Sequence, residues 1–325
     1  METRQLYYHS PCFDGVASAV LAWDFLEATL GWRSCELHPV NYTVRESWLQ
    51  TELKSPTAVV DFLYHPQADF WADHHGSTFL TAEAREHFER SPRGLRFYDE
   101  SARSCTGLLA RELPESFERK PHHLELARWA EKIDSAEYES VEEALFSAKP
   151  ALKINVGLAL GEGERFTQLL IRALRESSLE QVAQHPEVRE RFDRAQEAIR
   201  RGLNRFRAEA SLTANGIVVF DVEDREDDVV ISRYAPYYFF PDARYSAGIV
   251  RHADGVKITV MRNPWRRFAS TSLGRICAAL GGGGHHRVGA IQLGPERAGE
   301  VRSLLERVLA GIRDAEGRGT ALATL

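Results

Sequence analysis

Sulfur is scarce in this chain, which has four cysteines and two methionines among 325 residues. Cys12, Cys35, Cys105 and Cys277 stand far apart, with no CxxC pair. That spacing excludes a zinc ribbon or a small disulfide framework and fits thiols kept in a reducing compartment. No stretch approaches the roughly 18 apolar residues that a membrane-spanning helix needs, and the start of the chain shows no secretory leader. A cytoplasmic protein without membrane contact is therefore expected. HExxH occurs nowhere, which removes that class of zinc protease. Internal repeats and low-complexity tracts are also absent, so solenoid and disordered classes fall away. Strong positive charge is missing too: 41 Lys and Arg face 47 Asp and Glu, for a net charge of −6. A surface built throughout for duplex nucleic acid is excluded. A polyanionic substrate has to be met locally, by metal ions or by clustered arginines such as Arg262, Arg266 and Arg267.

What is present reads as a globular protein with two cores, since 43% of the residues are apolar and 27% charged. Short apolar runs alternate with helical spacing in the first part. Leu6–Tyr8 forms a strand ending at His9, and Val16, Ala19, Val20, Trp23 and Leu26 fall at helical spacing within a helix over about 15–30. Ala58–Val60 forms a strand ending at Asp61, Phe70–Ala72 one ending at Asp73, and 95–98 another. Helical patterns follow at about 104–113 and 122–133. Such alternation predicts a mostly parallel sheet sandwiched by helices, with ligands bound beyond the carboxyl ends of the strands. Residues 140–210 read as helical, closing on a connector of alternating charge from about 186. Strands return at 217–220, 247–250, 256–260 and 290–293, with helices near 271–280 and at the end, which makes a smaller α/β unit. The expected division is 1–185, a helical linker over 186–212, and 213–325.

The chemistry concentrates at the strand ends. Asp73-His74-His75 places a carboxylate and two imidazoles after a buried strand, an arrangement that is costly unless an ion binds there. Taken singly, the neighbouring residues have plain explanations. Asp14 could cap the helix it precedes, Asp61 and Asp134 could be turn residues, and His9 could be a satisfied interior imidazole. Together they put oxygen and nitrogen donors on one sheet edge, suited to Mn²⁺, Mg²⁺, Fe²⁺ or Zn²⁺. A carboxylate bridging two such ions, ~3.5–4 Å apart, would let them activate water and clamp a phosphoryl group.

The run from His9 through Cys12 to Asp14-Gly15, then Asp61, then Asp73-His74-His75, then Asp134 resembles the four ordered motifs of the DHH phosphoesterase superfamily. The stretch Asp99–Glu112 is similar to the Ser/Thr-containing segment that lies between the last two motifs. Val260-Met261-Arg262 followed by Gly281-Gly282-Gly283-Gly284-His285 resembles the GGGH element of the associated DHHA1 domain. The resemblance spans nearly the whole chain. It implies a metal-dependent phosphohydrolase holding one or two ions. His9 and Asp61 would hold one ion, and Asp14, Asp61, His74 and Asp134 the other. Asp73 would orient the adjoining imidazole, and His75 would meet a substrate phosphate. Arg262, Gly283, Gly284 and His285 would bind the rest of a nucleotide.

The first motif departs from the family pattern, because Cys12 stands where an Asp is usual and the spacing is one residue shorter. A thiolate ligand favouring a softer metal, a bystander thiol beside a weakly held ion, and a working variant turn all remain open. The resemblance implies small substrates: short oligoribonucleotides, 3′-phosphoadenosine 5′-phosphate or cyclic dinucleotides. A homodimer is left open. The competing readings are a pyrophosphatase or polyphosphatase, a nucleotide-binding regulatory module that has lost catalysis, and a Cys12 nucleophile, which leaves the acidic edge unexplained.

Overall fold

The N-terminal alternation folds into β1 (Gln5–His9), α1 (Phe13–Leu30), β2 (Glu36–Val40), β3 (Thr57–Val60), β4 (Phe70–Asp73), α2 (Ala82–Arg90), β5 (Arg96–Tyr98), α3 (Cys105–Glu112) and α4 (Pro121–Asp134). The computed structural model describes residues 3–91, 93–161, 163–223, 229–252 and 255–322. The first five strands lie in the order β2-β1-β3-β4-β5 with every pairing parallel. From β1 the chain passes first to one side, to β2, and then to the other, to β3. The order therefore reverses between β1 and β3, whose carboxyl ends carry His9 and lead into Asp61. A crevice at such a reversal is where open parallel sheets bind ligands.

Side chains alternate across the strands as the pleat requires. Val59 and Trp71 join Trp48, Phe62, Tyr64 and Ala84, with Tyr7, Phe88 and Tyr98 packed against them. Two short 3₁₀ turns (Tyr42–Val44 and Trp48–Gln50) and α2 contribute to this aromatic layer. Against the other face stand α1 and α3. Sequence reasoning assigned neither β2 nor α2. Pro39 interrupts the apolar pattern of β2, and Pro is tolerated there because the strand lies at the sheet edge.

The chain continues through α5 (Val141–Phe146), α6 (Pro150–Leu158), α7 (Glu164–Glu176), α8 (Leu179–Ala183) and α9 (Pro186–Glu209). Beyond these come β6 (Ala210–Leu212), β7 (Ile217–Glu223), α10 (Ala235–Phe239), β8 (Tyr245–His252), β9 (Gly255–Arg262), α11 (Leu273–Ala278), β10 (Gly283–Gly284), β11 (Val288–Leu293) and α12 (Val301–Leu322). Two compact units result. One comprises residues up to Tyr138 plus Ala148–Phe192, the other Glu139–Ser147 plus Asp193 onward. The second holds a six-stranded sheet in the order β10-β11-β9-β8-β7-β6, in which only the β7–β8 pairing is parallel. Ile249, Ile258, Val260 and Ile291 pack with Leu273, Val308 and Ile312 of the two helices beside it. The connector of alternating charge is not solvated all round. Val188, Phe192, Ala195, Ile199, Leu203 and Phe206 of α9 are buried, an apolar stripe at helical spacing beneath the charges.

Every residue of α1 from Phe13 to Leu26 is buried, Asp24 among them. A carboxylate there must be paired. Lys120 Nζ (2.7 Å) and His123 Nε2 (2.8 Å) reach its Oδ2, and Arg175 Nε donates to its Oδ1 at 2.7 Å. The Arg175 guanidinium also lies 3.9 Å over the Trp23 ring. Burial pushes the Asp24 carboxyl up, but the bonds from His123, Lys120 and Arg175 together pull it further down, from 3.8 to about 2. Because the folded value is depressed, this stability is complete above the unfolded value and disappears as pH falls toward 2. Asp24→Asn should therefore cost about 2 kcal/mol at pH 7. Urea midpoints of the two proteins should converge near pH 2, and an equal gap at both pH values would refute the assignment.

Candidate metal centre

Four loops and helix ends bring the predicted donors to one sheet edge. Asp61 follows β3 with φ at 55°, a left-handed backbone rare for residues other than Gly, Asn and Asp. Its N–H bonds Ala72 O at 2.8 Å, so the backbone is anchored to β4 while the side chain turns over the edge. Both carboxylate oxygens are buried without a hydrogen-bond partner. They face different neighbours: Oδ2 lies 3.4 Å from His9 Nδ1, whereas Oδ1 lies 3.8 Å from His74 Nε2 and 3.9 Å from His75 Nδ1. Buried beside Asp14, Asp61 is pushed well above the usual carboxylate range.

Asp14 does not cap its own helix; it sits inside the first turn of α1. Its Oδ2 accepts from Cys105 N at 2.6 Å, and its Oδ1 accepts from Thr106 N at 2.9 Å and Thr106 Oγ1 at 2.5 Å. The start of α3 thus fixes the carboxylate 3.7 Å from His74 Nε2. Ser104 in turn caps α3 by accepting from Gly107 N. His74 Nδ1 lies 3.1 Å from Ala102 O. His74 Nε2 in turn faces the carboxylates of Asp14, Asp61 and Asp134, the last at 3.4 Å. Lone pairs converging in this way suit a cation, and a carbonyl on the far nitrogen is the usual support of a metal-binding His. Asp134, the final residue of α4, is the most exposed of these carboxylates.

Asp73 plays a different part. Its Oδ1 accepts from His74 N at 2.8 Å and meets His75 Nδ1 at 2.7 Å, so it aims the second imidazole. Burial pulls the His75 pKa down, but Asp73 more than reverses this and carries it to about 9. Cys12 is the N-cap residue of α1. Burial and the charges of Asp134 and Asp14 push its thiol up to about 12, against the pull of the Gly15 and Asp14 amides. Donor atoms of Asp14, His74 and Asp134 lie within 4.8 Å of one another, as do those of His9, Cys12 and Asp61, and those of Asp61, Asp73, His74 and His75. The unpartnered oxygens of Asp61 between two donor groups fit divalent ions. A fourth group, Asp24 with His122 and His123, differs because Lys120 and Arg175 already neutralise Asp24.

In the second unit, the glycines form the two-residue strand β10, paired with Gly289 and Ala290 of β11. Gly284 has φ at 137°, and a Cβ there would lie 2.4 Å from Val288 O, so the turn requires glycine. The carbonyls of His285 and His286 accept from Gly274 N and Leu273 N at the start of α11. Arg262 is already engaged. Its guanidinium donates to the carbonyls of Asn263, Arg266 and Phe268 and lies 4.3 Å over the Phe268 ring.

Sequence reasoning missed Thr106 and Tyr42. The 99–112 stretch signalled the first. Nothing signalled Tyr42, whose ring stands 5.3 Å from that of His9, because it depends on the unassigned β2.

No family model matches the chain, and no curated protein does. Solved structures do. A pGpG-specific phosphodiesterase, PggH, from Vibrio cholerae aligns over 95% of this chain and 99% of its own, with 18% identity and a TM-score of 0.66. RecJ from Thermus thermophilus in complex with Mn²⁺ aligns over 96% of this chain and 52% of its own, with 15% identity and a TM-score of 0.57. The DHH domain of a protein described as a member of the s1p family of ribosomal proteins gives 14% identity, 96% and 86% coverage and a TM-score of 0.58. The chain shares the fold of these solved structures, and the motifs of its first unit gather on one sheet edge.

Proposed function

We propose that this protein is a metal-dependent phosphoesterase acting on small nucleotides. One observation carries the reading: the two buried, unpartnered oxygens of Asp61 face separate donor groups. Asp14, Asp61, His74 and Asp134 would hold one divalent ion, and His9 and Asp61 the other, with Asp61 bridging. Mn²⁺ is the first choice, ahead of Mg²⁺, Fe²⁺ and Zn²⁺. Such a pair, when bound, lowers the pKa of water and offsets charge on a phosphoryl group. The protein's share is positional. Thr106 and Cys105 fix Asp14, Ala102 fixes His74, and Asp73 orients His75, the group proposed to meet a phosphate oxygen. In the second unit, Gly283, Gly284 and His285 are the candidates for nucleotide recognition, whereas Arg262 is engaged by the carbonyls of its own turn.

A linear dinucleotide stands first among the substrates, since the similar Vibrio protein is named for pGpG and aligns over nearly its whole length. Purified protein with Mn²⁺ should be offered pGpG, linear dinucleotides to pentanucleotides, 3′-phosphoadenosine 5′-phosphate, cyclic dinucleotides and pyrophosphate. Linear dinucleotides should give kcat/KM at least about tenfold above the other substrates. Turnover of pyrophosphate alone would make it a pyrophosphatase. Metal and nucleotide binding with no turnover would make it a regulatory module.

A further inference from the structure

The donor groups on either side of Asp61 differ in chemistry. Asp14, His74 and Asp134 offer oxygen and nitrogen only, whereas His9 and Asp61 are joined by the sulfur of Cys12. We propose that Cys12 is a thiolate ligand, so that the centre pairs a hard-donor site with a softer one selective for Zn²⁺- or Fe²⁺-like ions. This inference deepens the phosphoesterase reading and rests on it.

The geometry supports a ligand rather than a bystander. Cys12 occupies the N-cap position of α1, yet its side chain makes no capping hydrogen bond. His9 Nδ1 and both Asp61 oxygens are buried without hydrogen-bond partners, and one donor atom from each of His9, Cys12 and Asp61 lies within 4.8 Å of the others. The 3.4 Å between His9 and Asp61 matches a tetrahedral edge: nitrogen and oxygen ligands ~2.0–2.1 Å from an ion stand about 3.4 Å apart. A sulfur ligand lies further out, at ~2.3 Å, and prefers borderline or soft ions to Mg²⁺ and Mn²⁺. Coordination replaces the thiol proton, which passes to solvent. Cys105 is the other thiol near the acidic edge, but its sulfur is committed to Ala72 O at 3.3 Å.

Cobalt(II) tests this directly. Full-length protein stripped of metal is titrated with Co²⁺, and the near-ultraviolet sulfur-to-cobalt charge-transfer band is followed alongside the visible ligand-field bands. The wild-type protein and Cys105→Ser should show the charge-transfer band. Cys12→Ser should lose it while keeping ligand-field absorption from the other site. Zn²⁺ affinity should fall at least about tenfold in Cys12→Ser, with Mn²⁺ affinity moving less than about threefold. Cobalt bound without the band in the wild type overturns the thiolate ligand and leaves the phosphoesterase reading standing. Loss of the band in Cys105→Ser overturns it too. Absence of any Co²⁺ binding overturns both. The wild-type and Cys105→Ser spectra decide the matter even if Cys12→Ser fails to fold.

Discussion

Asp61→Asn lowers the metal-supported hydrolysis rate by at least about 10³-fold, because the residue assigned to bridge both ions loses its charge. The amide keeps the shape and tolerates the positive φ at this position better than alanine does. The expected stability change has opposite signs in two conditions. In chelator, the wild-type protein buries a carboxylate with both oxygens unpartnered close to Asp14. Such a group costs roughly 1–3 kcal/mol, so the stripped variant should melt above the stripped wild type, by about 2–4 °C. Saturating Mn²⁺ should reverse that order, since only the wild type gains from binding. Thermal melting with and without chelator, beside metal content and rate, checks all three parts. A variant with unchanged metal content would contradict the bridging assignment.

Gly15→Ala disrupts the fold and the site together. A Cβ at this position would sit 2.0 Å from the carbonyl oxygen of His9 and 2.8 Å from its carbon. These are backbone atoms, so no side chain can swing aside. To make room, α1 must move off the end of β1, carrying Asp14 and Cys12 away from Asp61. The expected cost is about 3 kcal/mol or more, with a loss of metal affinity beyond what Asp14 alone explains. Gly94→Ala is the control, since a Cβ there meets nothing within 4 Å; it should stay within about 0.5 kcal/mol. Equal melting temperatures for the two variants would refute the packing argument.

The sheet edge was legible because its chemistry departs from its surroundings. Asp61 and Asp73-His74-His75 end short runs of buried residues, where ionisable groups need a reason, and strand-helix alternation placed those ends together. Gly15 beside Asp14 was visible only as part of a motif. The need for glycine there comes from the His9 carbonyl, a contact between separate elements that no local pattern encodes. Asp14 was ambiguous for the same reason. Capping its own helix and accepting from Cys105 and Thr106, about ninety positions away, call for the same residue type. Asp24 drew no notice within the helical pattern, since its partners Lys120, His123 and Arg175 come from distant segments. β2 was hidden by Pro39, and with it Tyr42. Arg262 shows the opposite failure, because a cation near a glycine run looked free and in fact binds three carbonyls of its own turn.

Anomalous scattering from crystals grown with Mn²⁺ tests the convergence of these side chains most directly. Manganese peaks are expected within coordination distance of Asp61, at least one of them also touching Asp14, His74 and Asp134. Manganese bound elsewhere, or Asp61 left without a metal at saturating Mn²⁺, would contradict that convergence.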